Sequence, residues 1–171
     1  IRFITGGARS GKSNFASQMA LNLSPNPIYL ATARKWDADF EKRIARHITD
    51  RDERWTTIEE EKEISKHDLS GKVVVIDCVT LWLSNFFFDT QNDVDASLKL
   101  FKDEMDKLKI MDATFIIVSN ELGMGVHGTT ETARRFTDLQ GWANQYAASL
   151  ADEVFLMISG IPVKIKPQKN I

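Results

Sequence analysis

The stretch that most constrains this chain is "TGGARSGKS", Thr5 to Ser13. It contains Gly-x-x-x-x-Gly-Lys-Ser, the pattern of a phosphate-binding loop. Strand-like "IRFI" precedes it. Behind it Phe15, Met19 and Leu23 recur every four residues, so a helix with one apolar face starts at about Lys12. Strand, Gly-rich turn and helix in this order build a nest of backbone N–H groups at a helix N-terminus. The phosphates of a nucleotide are therefore expected against Gly6, Gly7, Ala8, Arg9, Ser10, Gly11, Lys12 and Ser13. Gly6 and Gly11 let the backbone turn where a Cβ would clash. Lys12 should reach the β and γ oxygens, and the Ser13 hydroxyl should bind Mg²⁺. The loop does not say where the phosphate goes next. Water, a substrate hydroxyl and a side chain of the protein are all possible acceptors.

The rest of the chain alternates strand-like and helical runs. "IYLATA" (28–33), "KVVVIDC" (72–78) and "TFIIVSNE" (114–121) read as buried strands. A short strand is allowed at Thr56–Ile58, followed by helix or loop. Helical stripes run through 37–51 (Phe40, Ile44, Ile48), 95–109 (Leu98, Phe101, Met105, Leu108) and 131–150 (Phe136, Leu139, Ala143, Tyr146, Leu150). "LWLSNFFFD" is a helix apolar almost all round, hence well buried or at an interface. "LGMGVHG" is a loop, and "VFLMISGIPVKIK" (154–166) is a hairpin around Ser159-Gly160. No repeat or linker interrupts 1–171, so one nucleotide-binding catalytic domain is expected. The fold class is α/β: a P-loop NTPase fold, three-layer α/β/α, with a mainly parallel central sheet and a C-terminal hairpin. In such sheets ligands bind at the C-terminal ends of the strands. The phosphate loop, Asp77 and Ser119-Asn120-Glu121 all belong there.

Composition narrows the partners. With 171 residues, 43% of them apolar, the chain can bury a core. A net charge of −2 offers no basic field for nucleic acid or anionic membrane. The single Cys78 forms no internal disulfide, which fits a reducing, cytoplasmic setting. No apolar run is long enough to span a membrane. The opening strand leaves no targeting peptide in view.

Asp77, ending an apolar strand, is the natural carboxylate for a metal beside the phosphates. The bland alternative is a cap on the helix that Thr80 and Leu81 begin. No Asn-Lys-x-Asp run marks a guanine-reading GTPase switch. Among possible side-chain acceptors histidine leads, because imidazole is nucleophilic near neutral pH. His67 lies in a charged stretch and is expected on the solvated surface. His127 lies in the Gly-rich loop. His47 falls within about 20° of Phe40 on a helix, with Arg51 one turn on and Arg43 one turn back. Arginines there would neutralise phosphate oxygens during attack. The residues alone leave two readings open: a nucleophile, or a core-edge histidine packed beside Phe40 and Ile44.

The chain resembles the bifunctional adenosylcobinamide kinase / adenosylcobinamide-phosphate guanylyltransferase family of cobalamin biosynthesis. The resemblance rests on "TGGARSGKS", "YLATA" (29–33), "RIARHITDRDERWTTIEE" (43–60), "DCVTLWLSN" (77–85), "VSNELGMG" (118–125) and "RRFTDLQGWANQYAASLADEVFLMISGIPVKIK" (134–166). It implies two reactions. ATP or GTP phosphorylates the aminopropanol hydroxyl of adenosylcobinamide. GTP then gives GMP to that phosphate through a guanylylated histidine, releasing pyrophosphate and adenosylcobinamide-GDP. The matching histidine is His47. Further nucleotide contacts implied are Thr32, Ala33, Arg34, Ile48, Thr49, Asp50, Arg51, Glu59 and Thr80. A homotrimer is implied as well. Ile48-Thr49, "RDERW" and Glu60-Glu61 depart from the family's usual pattern beside the nucleophile. The competing readings are a single-function small-molecule kinase with His47 structural, and a nucleotide-binding module without turnover.

Overall fold

The computed structural model describes residues 1–34, 52–126 and 128–166. Seven strands form one sheet: β1 (Arg2–Gly6), β2 (Ile28–Ala31), β3 (Thr56–Glu59), β4 (Val73–Asp77), β5 (Thr114–Val118), β6 (Glu153–Ile158) and β7 (Ile161–Lys166). Their order is β3-β2-β4-β5-β1-β6-β7. The first six run parallel, and β7 returns antiparallel on β6. The described helices are α1 (Lys12–Leu23), α2 (Val79–Asp89), α3 (Val94–Ile110) and α4 (Glu131–Leu150). None of them is long and apolar enough to cross a membrane.

The sheet is apolar on both faces because each strand alternates. Phe3, Leu30, Val74, Ile76, Phe115 and Ile117 point into a large core under α2, α3 and α4. Ile4, Tyr29, Val75 and Ile116 point the other way, against Ala16 and Ala20 of α1. Continuous apolar strands with helices on both faces are what a buried parallel sheet requires. This is the three-layer α/β arrangement of a P-loop NTPase.

Most elements stand where periodicity puts them, including α1 from Lys12 and α4 over 131–150. The Ser159-Gly160 hairpin forms with both residues at positive φ, 51° and 85°. The ambiguous 60–71 stretch contributes one 3₁₀ turn, Ile64–Lys66. α2 spends its apolar circumference inside the chain: Val79, Trp82, Leu83, Phe86 and Phe87 are buried, and Phe88 is 60% exposed. Its composition is thus explained by its own core. The helix expected over 37–51 lies outside the described residues.

Candidate functional site

Register places the informative strand ends side by side. Ala31 pairs with Asp77, Asp77 with Val118, and Ile4 with Val118. β5 therefore stands between the phosphate-loop strand and the Asp77 strand. Glu121 N–H donates to Gly6 O at 2.9 Å and Ser119 N–H to Ile4 O, which carries 119–121 alongside the loop.

The phosphate loop has the geometry its glycines predict. Gly11, just before α1, sits at φ 92°. A Cβ on Gly6 would stand 2.6 Å from Met157 O and 2.9 Å from Ser10 Oγ. Gly160 N–H donates to Ser10 O at 3.0 Å, so the β6–β7 turn braces the loop. Gly7, Ala8 and Arg9 are exposed, and Ser13 is half-buried. The Ser10 hydroxyl is buried with no hydrogen-bond partner among the described residues.

Lys12 is 6% exposed, and its Nζ donates to Gly7 O at 2.6 Å. Burial lowers its pKa, while Cys78 and Asp77 nearby act in the opposite sense. Burial also pushes the Cys78 thiol up to about 12. Cys78 is therefore a neutral thiol at neutral pH, and Asp77 is the charge that Lys12 meets. The same burial makes Cys78 a poor nucleophile. Tyr29 Oη donates to Asp77 Oδ2 at 2.9 Å and fixes one carboxylate oxygen.

Thr32 and Thr80 hold the strand ends together. Thr32 Oγ1 donates to Cys78 O at 2.8 Å and accepts from Cys78 N–H at 3.0 Å. Asn85 Nδ2, fully buried, donates to Thr32 O and Glu61 O. Thr80 Oγ1 accepts from Asn120 N–H and Nδ2. Asn144 of α4 donates to Asn120 O and accepts from Ser119 Oγ, while Gln140 Nε2 bonds both Ser119 Oγ and Asn144 Oδ1. This is a buried polar network from helix to strand end.

Other expected contacts stand apart. Ala33 is half-buried next to Thr32. Arg34 donates to Glu61 and, through two nitrogens, to Asp89; the Asp89 bonds raise its pKa and depress that of Asp89. Glu59 ends the edge strand β3, four strands from β1, or roughly 19 Å at the usual strand spacing. His67 is not a free surface group. It is half-buried, with Nε2 3.2 Å from Glu60, because a turn folds it back on that carboxylate. His47, Ile48, Thr49, Asp50, Arg51 and His127 lie outside the described residues.

Tyr29, Asn85, Gln140 and Asn144 escaped sequence reasoning. The only signal was the polar pair at 140 and 144 inside the apolar stripe of α4.

Residues 2–165 match the family model described as cobinamide kinase / cobinamide phosphate guanyltransferase. The bifunctional adenosylcobalamin biosynthesis protein CobU of Escherichia coli K12 is 36% identical, covering 95% of this chain and 98% of its own. The bifunctional adenosylcobalamin biosynthesis protein CobP of Pseudomonas aeruginosa is 33% identical, covering 95% of each. A solved protein of Pyrococcus horikoshii OT3 covers 99% of this chain and 87% of its own, with TM-score 0.55 and 8% identity, a shared fold only. With a family match running through the phosphate loop, the Asp77 strand and the closing hairpin, this chain belongs to the cobinamide kinase / cobinamide phosphate guanyltransferase family.

Proposed function

We propose that this protein phosphorylates adenosylcobinamide with ATP or GTP and then transfers GMP from GTP to the phosphate it has made. The observation that carries this reading is a family match that runs from the phosphate loop to the hairpin and includes the segment around His47. In the first step the substrate hydroxyl oxygen attacks the γ-phosphorus. The bond to the β-phosphate oxygen breaks, a nucleoside diphosphate leaves, and the hydroxyl proton passes to solvent. In the second, a ring nitrogen of His47 attacks the α-phosphorus of GTP and pyrophosphate leaves. An oxygen of adenosylcobinamide phosphate then displaces His47, giving adenosylcobinamide-GDP and free enzyme.

The chain's own residues divide the work. The loop from Gly6 to Ser13 binds the phosphates through backbone N–H groups. Lys12, released from Gly7 O when phosphate arrives, places its ammonium against the terminal oxygens. Asp77, oriented by Tyr29, favours the charged form of that ammonium against its burial. Thr32 and Thr80 fix the strand ends facing the nucleotide, and Ala33, Arg34 and Glu59 line the more distant edge. Ile48, Thr49, Asp50 and Arg51 flank the nucleophile, where Arg51 offsets phosphate charge. The Ser13 hydroxyl and Asp77 carboxylate are hard oxygen donors of the kind Mg²⁺ takes together with phosphates, so they fit that ion. When bound, Mg²⁺ would neutralise phosphate charge. The protein is read as a single catalytic domain that works in the cytoplasm as a homotrimer, on small molecules and not on nucleic acid.

Intact-protein mass after incubation with GTP and Mg²⁺ tests the transferase. Wild type is expected to gain an acid-labile GMP, and His47→Ala none. A folded, nucleotide-binding wild type without the adduct would leave a single-function kinase.

A further inference from the structure

Beside the phosphate loop lies a cleft of about 580 Å³, within the range of small-molecule sites. One wall is Leu122, Met124 and Val126, from the loop after β5. The other is Leu156, Met157 and Ile158 of β6. Three of these apolar side chains face solvent: Met124 is 79%, Val126 96% and Ile158 53% exposed. The floor is Gly7, Ala8 and Ser10, whose hydroxyl is buried and unpartnered among the described residues.

The position in the phosphate loop decides what can lie here. Loop N–H groups leading into the helix hold the α- and β-phosphates, and the lysine reaches the terminal ones. Lys12 Nζ rests on Gly7 O, so the Gly7–Ala8 end is the terminal-phosphate end. The nucleoside leaves from the other end, past Ser13 and the first turn of α1. The cleft opens from Gly7 and Ala8, where a group attacking the terminal phosphorus has to enter. Its walls are mainly apolar, with the Glu121 carboxylate and the Thr137 hydroxyl among them, which suits the body of a bulky alcohol better than an anionic metabolite.

We propose that this cleft seats the phosphoryl acceptor: an arm and ring edge of the corrinoid lie between Met124 and Ile158, with the hydroxyl over Gly7. The assignment rests on the kinase reading above. The volume holds a part of such a molecule, so the rest extends into solvent over the loop wall.

The test is steady-state kinase kinetics with adenosylcobinamide and ATP or GTP on wild type, Ile158→Asp and Met124→Asp. Both sites are exposed, so a carboxylate there leaves the fold intact, and two opposite walls guard against one failing. A charge against the bound apolar body should raise KM for adenosylcobinamide at least about tenfold in both variants. KM for the nucleotide should stay within about twofold. A nucleotide KM that rises instead would give the cleft to the nucleoside and overturn the assignment. Unmoved acceptor KM values, with or without a change in oligomeric mass, would overturn it too. Wild type that fails to phosphorylate adenosylcobinamide removes the kinase reading and the cleft's assignment together. An active wild type with unmoved variants removes only the latter.

Discussion

At the residue scale the site depends on a few side chains with little room to change. Lys12 is buried, its Nζ bonds the Gly7 carbonyl, and Cys78 and Asp77 act against the effect of that burial. Lys12→Ala is expected to slow both the kinase and the guanylyl steps by at least about 100-fold, as loss of a charge-stabilising donor does. Separate assays of the two steps check this; a loss confined to one would mean two nucleotide sites. Gly6 is constrained by space as well as by its φ of 153°. Gly6→Ala brings a methyl within 2.6 Å of a backbone oxygen, which cannot swing aside. A loss of roughly 1–3 kcal/mol in urea unfolding is expected, with weaker nucleotide binding. The role of Gly6 was legible in the sequence, because a phosphate loop needs a glycine there. Its neighbour Met157 was not, since it comes from a strand 151 residues later.

At the element scale, helices carry polar side chains inward to hold strand ends. In α2 the stripe of Trp82, Phe86 and Phe87 fixes the helix on the sheet, and that packing delivers Asn85 to the carbonyls of Thr32 and Glu61. Asn85→Leu preserves volume but leaves the buried Thr32 carbonyl and the part-buried Glu61 carbonyl without this donor. It should cost roughly 1–3 kcal/mol and loosen the β2 end, seen as lowered Tm and faster amide exchange near Thr32. The apolar circumference of α2 was legible, but nothing in its spacing showed what Asn85 would bond. The same holds for α4, where Gln140 and Asn144 meet Ser119 and Asn120. Helical spacing put 140 and 144 on one face, yet only docking against β5 gave that face partners.

At the scale of the whole molecule, a hub at Glu60 links the β3 edge to the 3₁₀ turn. Burial would raise its pKa. Bonds from Lys66, from the Lys62 and Glu63 N–H groups and from His67 outweigh that and hold it down to about 2. A carboxylate depressed in the folded state contributes stability above its unfolded pKa of about 4.5, and loses it as pH falls towards about 2. Wild-type stability should therefore drop between those values, and Glu60→Gln should flatten that part of the acid-unfolding curve. An unchanged curve in the variant would show that the hub does not couple folding to pH. Glu60 is one of the departures noted from the sequence, and its position gives that departure a structural use.

What the sequence determined by itself is local. The phosphate loop, the alternation of strands and the stripes of α1, α3 and α4 arise from residues two to seven positions apart, and such spacings act before any tertiary contact forms. The family resemblance added His47 as the expected nucleophile. Only the tertiary structure decided which distant residues meet. Strand order put β5 between β1 and β4, and register set Ala31, Asp77 and Val118 level. From that follow the Tyr29–Asp77 bond, the Thr32 bonds to Cys78, the placement of Glu59 at the far edge, and the apolar cleft beside Gly7. A hydrogen bond between residues 46 or 48 positions apart leaves no periodic trace in the chain, because its geometry exists only once the sheet has closed.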